Sequence, residues 1–194
     1  MQKLFLFVAL TLALPVIAQA QEGSRVEIFS GYSYMRLEDS NVDGQDRDLN
    51  GYNISGAITI FKKSIALKGD VSGHFGDFLT NVTPRTDLGQ TLFLFGPQIS
   101  FRAGRIQPFA HALFGVARVK LENDAIPGDI TDTGFAFAIG GGVDVKGLGS
   151  KLAVRLIQAD YVRTKLDLLN VGNSTSSNNI RISTGIVLRF GKIE

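Results

Sequence analysis

The sequence predicts an all-β protein, an eight-stranded antiparallel up-and-down transmembrane β-barrel. Three observations predict it: apolar and polar residues alternate with period two in about eight segments, the connections alternate between short and long, and the N-terminus has the order of an export signal. Of the 194 residues, 44% are hydrophobic and none is Cys, which excludes disulfides and thiolate chemistry. A formal net charge of +2 argues against nucleic-acid binding.

The first twenty residues are typical of a signal peptide. Lys3 gives a basic start, residues 4–17 are largely apolar, and Ala18 and Ala20 supply the two small residues of a cleavage motif. The apolar stretch is shorter than the roughly 18 residues that a membrane helix needs. We expect cleavage after Ala20, which leaves residues 21–194 as the barrel domain.

Six of the eight predicted strands alternate cleanly between an apolar and a polar face. The predicted strands cover, in order, residues 26–37, 52–60, 65–75, 91–102, 107–119, 135–146, 152–165 and 180–190. The apolar faces of the six clean strands carry, in order, Ile28 and Tyr32, Ile54 and Ile58, Leu67 and Val71, Phe93 and Phe95, Phe137 and Val143, and Ile182 and Ile186. Pro97 cannot donate to the ladder and predicts a local bulge in the fourth strand.

The fifth and seventh predicted strands are apolar on both faces, so their registers stay open. His111 cannot be assigned to a face. In the seventh strand, Arg155 and Asp160 fall on opposite faces, so either one points outward near a rim or a bulge shifts the register between them. The arrangement that we favour has Gln158 and Asp160 inward and Tyr161 outward.

The connections alternate in length and in charge. Short basic ones lie at residues 62–64, 103–105 and 147–150, and long polar ones, rich in acidic residues, lie near residues 38–50, 77–89, 120–133 and 166–179. This layout is typical of short periplasmic turns and long outer loops in an outer-membrane barrel. An even number of strands then puts both termini on the periplasmic side.

Alternation alone does not show which face meets solvent. A soluble barrel buries its apolar face, whereas a membrane barrel turns that face to lipid. The polar face here consists mainly of Gly, Ala and Ser with few charges, which suits a narrow interior where charges must pair. Phe and Tyr near the strand ends of the apolar face suit interfacial girdles. We therefore predict a polar network that plugs the lumen, formed by Lys68, Asp70, His74, Arg102, Asp144, Asp160, Arg181 and Arg189.

The chain resembles the small eight-stranded outer-membrane barrels of the OmpA/OmpX type. The resemblance covers residues 25–191 and rests on Gly31-Tyr32-Ser33-Tyr34, on the strand layout and on the last strand. In that strand, Gly185, Leu188 and Phe190 match the terminal signal that the barrel-assembly machinery recognises. The resemblance implies a monomer in the outer membrane of a Gram-negative cell, assembled with periplasmic chaperones and in contact with outer-membrane lipid and lipopolysaccharide.

The sequence gives no strong catalytic, cofactor or metal motif, so we expect a non-enzymatic structural or interaction role carried by the outer loops. Three alternatives stay open. A narrow gated pore would use the charges of the lumen, and a lipid-modifying enzyme would use Ser72 and His74 on one strand face. A soluble secreted barrel would turn its polar face outward.

Overall fold

A computed structural model of the chain describes residues 26–38, 47–61, 64–78, 86–101, 105–123, 130–146, 151–166 and 175–191. These residues form β1 (Val26–Glu38), β2 (Arg47–Phe61), β3 (Ile65–Phe78), β4 (Thr86–Ser100), β5 (Ile106–Asn123), β6 (Ile130–Lys146), β7 (Leu152–Leu166) and β8 (Thr175–Phe190). Each strand pairs antiparallel with the next, and β8 pairs with β1 to close the barrel. The predicted fold class is confirmed. The expected signal peptide and its cleavage residues Ala18 and Ala20 lie outside the described residues.

The strands run further than predicted at the end that carries the longer connections. β2 begins at Arg47 and β8 at Thr175, each five residues before its predicted start. The connections that remain between strands at this end are residues 39–46, 79–85, 124–129 and 167–174. These strand extensions are mostly polar on both faces, so they lack the alternation that reveals a strand. Backbone pairing with the neighbouring strand, which sequence does not display, makes them part of the sheet. Among the described residues there is no helix long and apolar enough to span a bilayer.

A bulge in β7 resolves the conflict between Arg155 and Asp160. The register with both neighbouring strands shifts between Arg155 and Gln158. Leu156 and Ile157 both point outward at this shift, so Arg155 and Asp160 both face the interior. The bulge interpretation is confirmed, as is the favoured arrangement with Gln158 and Asp160 inward and Tyr161 outward.

The prediction of a local bulge at Pro97 is wrong. β4 pairs Phe95 with Phe114 and Gln98 with His111, so the register with β5 is the same on both sides of the proline. On the other side, Pro97 pairs in register with Leu67 of β3. The missing donor interrupts the ladder locally, and the regular pairing on both sides of it holds the strand in line.

The barrel interior has two chemically different parts. We call the end with the longer connections the outer end. Toward it lies an apolar cluster made of Met35, Leu49, Leu92, Leu94, Leu113, Ala117, Val119, Ala136, Ala138 and Val162, with Leu37 packed against it. The rest of the interior is polar and charged apart from a small apolar group of Phe29, Ala153 and Val187. The expectation of a lumen plugged by ion pairs therefore describes only part of the interior. The inward faces of strands predicted by alternation also carry apolar residues, such as Met35, Leu92 and Leu94.

The seam between β1 and β8 needs two facing glycines. Gly31 is paired with Gly185 across this seam. A Cβ on Gly185 would meet the backbone of Ser30 and Gly31, and a Cβ on Gly31 would meet the backbone of Thr184 and Gly185. The first and last strands therefore approach each other more closely than residues with side chains would allow.

Candidate functional site

The centre of the lumen is organised around one buried guanidinium. Arg181 on β8 donates to Asp70 Oδ1 on β3 at 2.8 Å and, through Nη2 and Nε, to Asp160 Oδ2 on β7 at 2.7 and 2.9 Å. Its Nη1 also donates to Ser72 Oγ at 2.8 Å. None of these side chains is exposed beyond 2%. A planar guanidinium with five donors suits a bridge between two carboxylates from different walls of the barrel.

Lys68 and His111 complete this central group. Lys68 Nζ lies 3.6 Å from Asp70 Oδ2, an ion pair longer than a hydrogen bond, and 3.4 Å from His111 Nδ1. His111 Nε2 lies 2.9 Å from Asp160 Oδ1. Because the carboxylate only accepts, Nε2 carries the proton in this contact and Nδ1 is left to accept from Lys68. Asn53 adds a donor, with its Nδ2 at 2.9 Å from Asp70 Oδ1.

A second charged group lies nearer the end with the short connections. Arg155 pairs with Asp144, Nε to Oδ1 at 2.8 Å and Nη2 to Oδ2 at 3.2 Å. Arg189 bridges Asp144, at 3.3 Å, and Glu27, at 3.2 Å. Gln158 joins the two groups, because its Oε1 accepts from Arg155 at 2.6 Å while its Nε2 donates to Asp160 at 2.7 Å.

Aromatic rings and glycines shape the space around these charges. The guanidinium carbon of Arg155 lies 4.4 Å from the ring centre of Phe29 and 4.1 Å from that of Phe109, in cation–π contact with both. Gly142 faces Phe109, and a Cβ there would lie 2.8 Å from the Phe109 ring. A Cβ on Gly140 would meet the carboxylate of Asp160. The glycines of β6 therefore leave the room that the ring and the carboxylate occupy.

The charges that the described residues bury are balanced. Four are basic, on Lys68, Arg155, Arg181 and Arg189, and four are acidic, on Glu27, Asp70, Asp144 and Asp160. An unpaired charge in such a place costs several kcal/mol, so pairing is the condition under which these side chains can be buried at all. Within the described part of the lumen the arrangement is a neutral, hydrogen-bonded plug.

His74 lies apart from the ion pairs and does not bond to Ser72. Its Nε2 lies 2.9 Å from Ser33 Oγ, and Ser33 in turn lies 2.9 Å from Ser183 Oγ. Ser72 accepts from Arg181 instead. His74, Ser33 and Ser72 are all completely buried, so the pair of side chains that suggested an enzyme is neither formed nor exposed to a lipid substrate.

The structure brings together most of the side chains expected in the lumen. Lys68, Asp70, His74, Asp144, Asp160, Arg181 and Arg189 are all buried inside the barrel. Arg102 lies outside the described residues. The three residues of the expected assembly signal are on β8, with Gly185 at the seam and Leu188 and Phe190 exposed on the outer face.

The sequence did not settle the orientations of Arg155 and His111, and it indicated no role for Ser33. Arg155 and His111 carry central contacts, yet the bulge and the two-sided hydrophobicity of their strands hid their orientation. Ser33 was placed on the polar face without a role, and its bond to His74 crosses from β1 to β3, strands that are not neighbours. The only indication for Ser33 in the sequence was its place on the polar face of the alternating strand. Among the described residues there is no group of three or more His, Cys, Asp or Glu that could hold a metal ion.

The outer surface of the barrel is an apolar band with aromatic residues toward both ends. Tyr32 and Tyr52 form an exposed cross-strand pair toward the outer end, and Phe61, Phe101 and Phe190 are exposed at the opposite end. The hydroxyl of Tyr32 donates to Asn50, and that of Tyr161 donates to Asn178 at 2.8 Å. These bonds mark where the surface turns from apolar to polar. An apolar band between two aromatic girdles is the surface that a lipid bilayer requires.

Comparison with known proteins agrees with this surface. A family model described as the outer membrane protein beta-barrel domain matches residues 6–190. No protein with a curated functional description is similar enough in sequence to count as a match.

Two solved structures have the same fold at low sequence identity. Neisserial surface protein A is 15% identical with a TM-score of 0.64, over 87% of this chain and 100% of that one. Ail, the attachment invasion locus protein of Yersinia pestis, is 16% identical with a TM-score of 0.61, over 87% of this chain and 99% of that one, in a complex with the heparin analogue sucrose octasulfate. With the family match over almost the whole chain, the closed barrel and its apolar exterior identify this protein as a member of the outer-membrane protein β-barrel family.

Proposed function

We propose that this protein is a non-enzymatic outer-membrane barrel with a closed lumen, whose outer end is the surface that interacts with other molecules. The observation that carries the proposal is the filled interior. The ion pairs around Arg181 and Arg155 fill one part of the described lumen, and the apolar cluster around Leu92 and Leu113 fills the part nearer the outer end. An eight-stranded barrel has room inside for little more than its own side chains.

The outer end is the surface left for interaction. On β1, Tyr32 belongs to the outer aromatic girdle, yet the strand continues for six more residues to Glu38. Outward polar residues at this end include Arg36, Asp48, Asn50, Thr131, Thr133 and Asn178. A membrane strand needs about 9–11 residues, and β5 has 18. The barrel wall therefore continues beyond the apolar band as a rigid sheet, which suits contact with a partner or with the sugars and phosphates of lipopolysaccharide.

The test of the closed lumen is single-channel recording in planar bilayers with the refolded wild-type barrel. We expect no conductance steps. Arg181→Met, inside the lumen, and Arg163→Met, exposed on β7, form a matched pair. Discrete steps in the wild type that change in size with Arg181→Met but not with Arg163→Met would replace the proposal with a narrow pore.

A second measurement separates the proposed role from catalysis. We expect the masses of lipid A from cells that overproduce the protein to match those from cells without it. A mass change that disappears in His74→Gln would show an enzyme, with the dyad of Ser33 and His74 as its first candidate.

We also propose that the chain follows the assembly route of its family. The terminal strand with Gly185, Leu188 and Phe190 would be recognised by the barrel-assembly machinery after delivery by periplasmic chaperones, and the folded protein would be a monomer. The exposed positions of Leu188 and Phe190 on β8 support this proposal, because outward side chains stay accessible while the strand pairs with β1.

A further inference from the structure

The lipid-facing wall of β3, β4 and β5 contains an open groove of about 300 Å³. Gly69 and Val71 form one side, Phe93 and Phe95 the next, and Phe114 and Val116 the far side. The three phenylalanine rings are about half exposed or more, so they stand out from the wall as ridges. At Gly69 a Cβ would meet nothing within 4 Å, which makes this glycine the low point of the groove.

A basic residue stands directly above the groove. Arg118 follows Val116 on the same outward face of β5, and its cross-strand neighbours are Thr91 and Thr133. Arg118 is exposed, and none of the ion pairs between the described side chains includes it. Lys120 is the next basic residue on this face of the strand. One guanidinium with two hydroxyls beside it is a set of donors for the oxygens of a phosphate.

The height of Arg118 fits the membrane boundary. It follows Ile106, at the opposite end of β5, by 12 residues. At about 3.4 Å per residue and a strand tilt of about 40°, this separation is about 31 Å along the barrel axis, slightly more than the ~25 Å height of a lipid-facing band. Arg118 therefore lies at the level of lipid headgroups, while Phe114 and the groove lie about 10 Å deeper, at the level of acyl chains.

We propose that the groove and Arg118 form a binding site for one phosphate-bearing lipid of the outer leaflet. An acyl chain lies in the groove over Gly69, and the phosphate accepts hydrogen bonds from Arg118. This lipid site depends on the orientation in the proposed function, in which the longer connections lie outside. Its lipid would be one partner of the outer surface. It differs from general lipid contact because the depression and the charge coincide on one strand face. Arg163 on β7 is also basic and exposed at the outer end, but it lies away from the groove.

The test is native mass spectrometry of the purified barrel in detergent, with bisphosphorylated lipid A, dephosphorylated lipid A or inorganic phosphate as the added probe. We expect Arg118→Ala to lower the affinity for bisphosphorylated lipid A about tenfold, the effect of one lost charge-assisted contact. Arg163→Ala is the matched control and should leave the affinity unchanged. Dephosphorylated lipid A should bind weakly and without regard to Arg118.

Filling the groove gives an independent measurement. Gly69→Leu should weaken the binding of both forms of lipid A, whereas Ala159→Leu, at an outward position on β7, should leave the binding unchanged. Equal losses in Arg118→Ala and Arg163→Ala would overturn the site, as would displacement of the lipid by inorganic phosphate at a similar concentration. If the barrel conducts ions but shows the expected lipid A affinities, the proposal of a closed lumen is wrong and the proposal of a lipid site still holds. Heat-shifted mobility on a denaturing gel would confirm that each variant is folded.

Discussion

Arg181 is the residue on which the polar interior most depends. Its guanidinium contacts two carboxylates from β3 and β7 and is completely buried. Arg181 donates to one oxygen of Asp70 and one oxygen of Asp160, and Lys68, 3.6 Å from the other oxygen of Asp70, supplies the second positive charge that balances the two carboxylates. Removing one member of a buried ion pair costs more than the pair itself contributes, because the remaining charge is left unpaired.

We therefore expect Arg181→Met to lower the free energy of unfolding by about 3–5 kcal/mol. The measurement is urea unfolding of the refolded barrel in lipid vesicles, followed by circular dichroism because the chain has no Trp. Arg163→Met is the control, since Arg163 is exposed on the same barrel, and its unfolding midpoint should stay at the wild-type value. Equal midpoints for the two variants would contradict the role assigned to Arg181.

Among the elements, β8 has two tasks. It pairs with β7 and also closes the barrel against β1 over the whole length of that strand. Closure brings Gly185 against Gly31, where a side chain would meet the backbone of the facing strand. The same strand carries the proposed assembly signal, so a change at Gly185 can act through the geometry of the seam or through recognition.

Refolding without cellular machinery separates these two effects. We expect Gly185→Val to reduce the yield of the heat-shifted folded band when urea-unfolded protein is refolded into lipid vesicles, because the seam cannot close around the added side chain. Gly56→Val is the control: Gly56 is outward and exposed on β2, and a Cβ there meets nothing within 4 Å. A normal yield for Gly185→Val in vesicles, with loss only in cells, would assign the glycine to recognition instead.

At the scale of the whole molecule, the polarity of the surface changes along the barrel axis. The band between the two aromatic girdles is apolar, and the wall beyond the outer girdle carries exposed polar residues such as Asp48 and Thr133. The opposite end has the short connections and the exposed Arg105 and Lys151. From this layout we expect one orientation in the membrane, with Asp48 outside and Arg105 in the periplasm.

Single-cysteine labelling measures that orientation cleanly because the chain has no native Cys. A membrane-impermeant maleimide should label Asp48→Cys in intact cells and Arg105→Cys only after the outer membrane is permeabilised. Phe95→Cys, in the apolar band, should react in neither case until detergent is added, since aqueous reagents do not enter hydrocarbon. Labelling of Arg105→Cys but not Asp48→Cys in intact cells would reverse the proposed orientation.

Much of the barrel could be predicted from the sequence because alternation is a local property of each strand. The faces of Ile54, Leu67 and Ile182 follow from neighbours two residues away. The outer strand extensions could not be predicted in this way, since their residues are polar on both faces and belong to the sheet only through their partners. The bulge in β7 was visible as a conflict between Arg155 and Asp160, but the choice between a bulge and an outward charge needed the register with β6 and β8.

By itself the sequence determined the fold class, the apolar outward faces of six strands and many of the polar residues that face the lumen. Only the tertiary structure decided which of them meet: Arg181 contacts Asp70, 111 residues away, and the outer part of the interior holds an apolar cluster rather than further charges. The physical reason is that several central lumen contacts, such as Arg181 with Asp70 and His111 with Asp160, join strands that are not neighbours in the sheet. Such contacts depend on barrel closure and on how far the strands are staggered, and no short stretch of sequence specifies either.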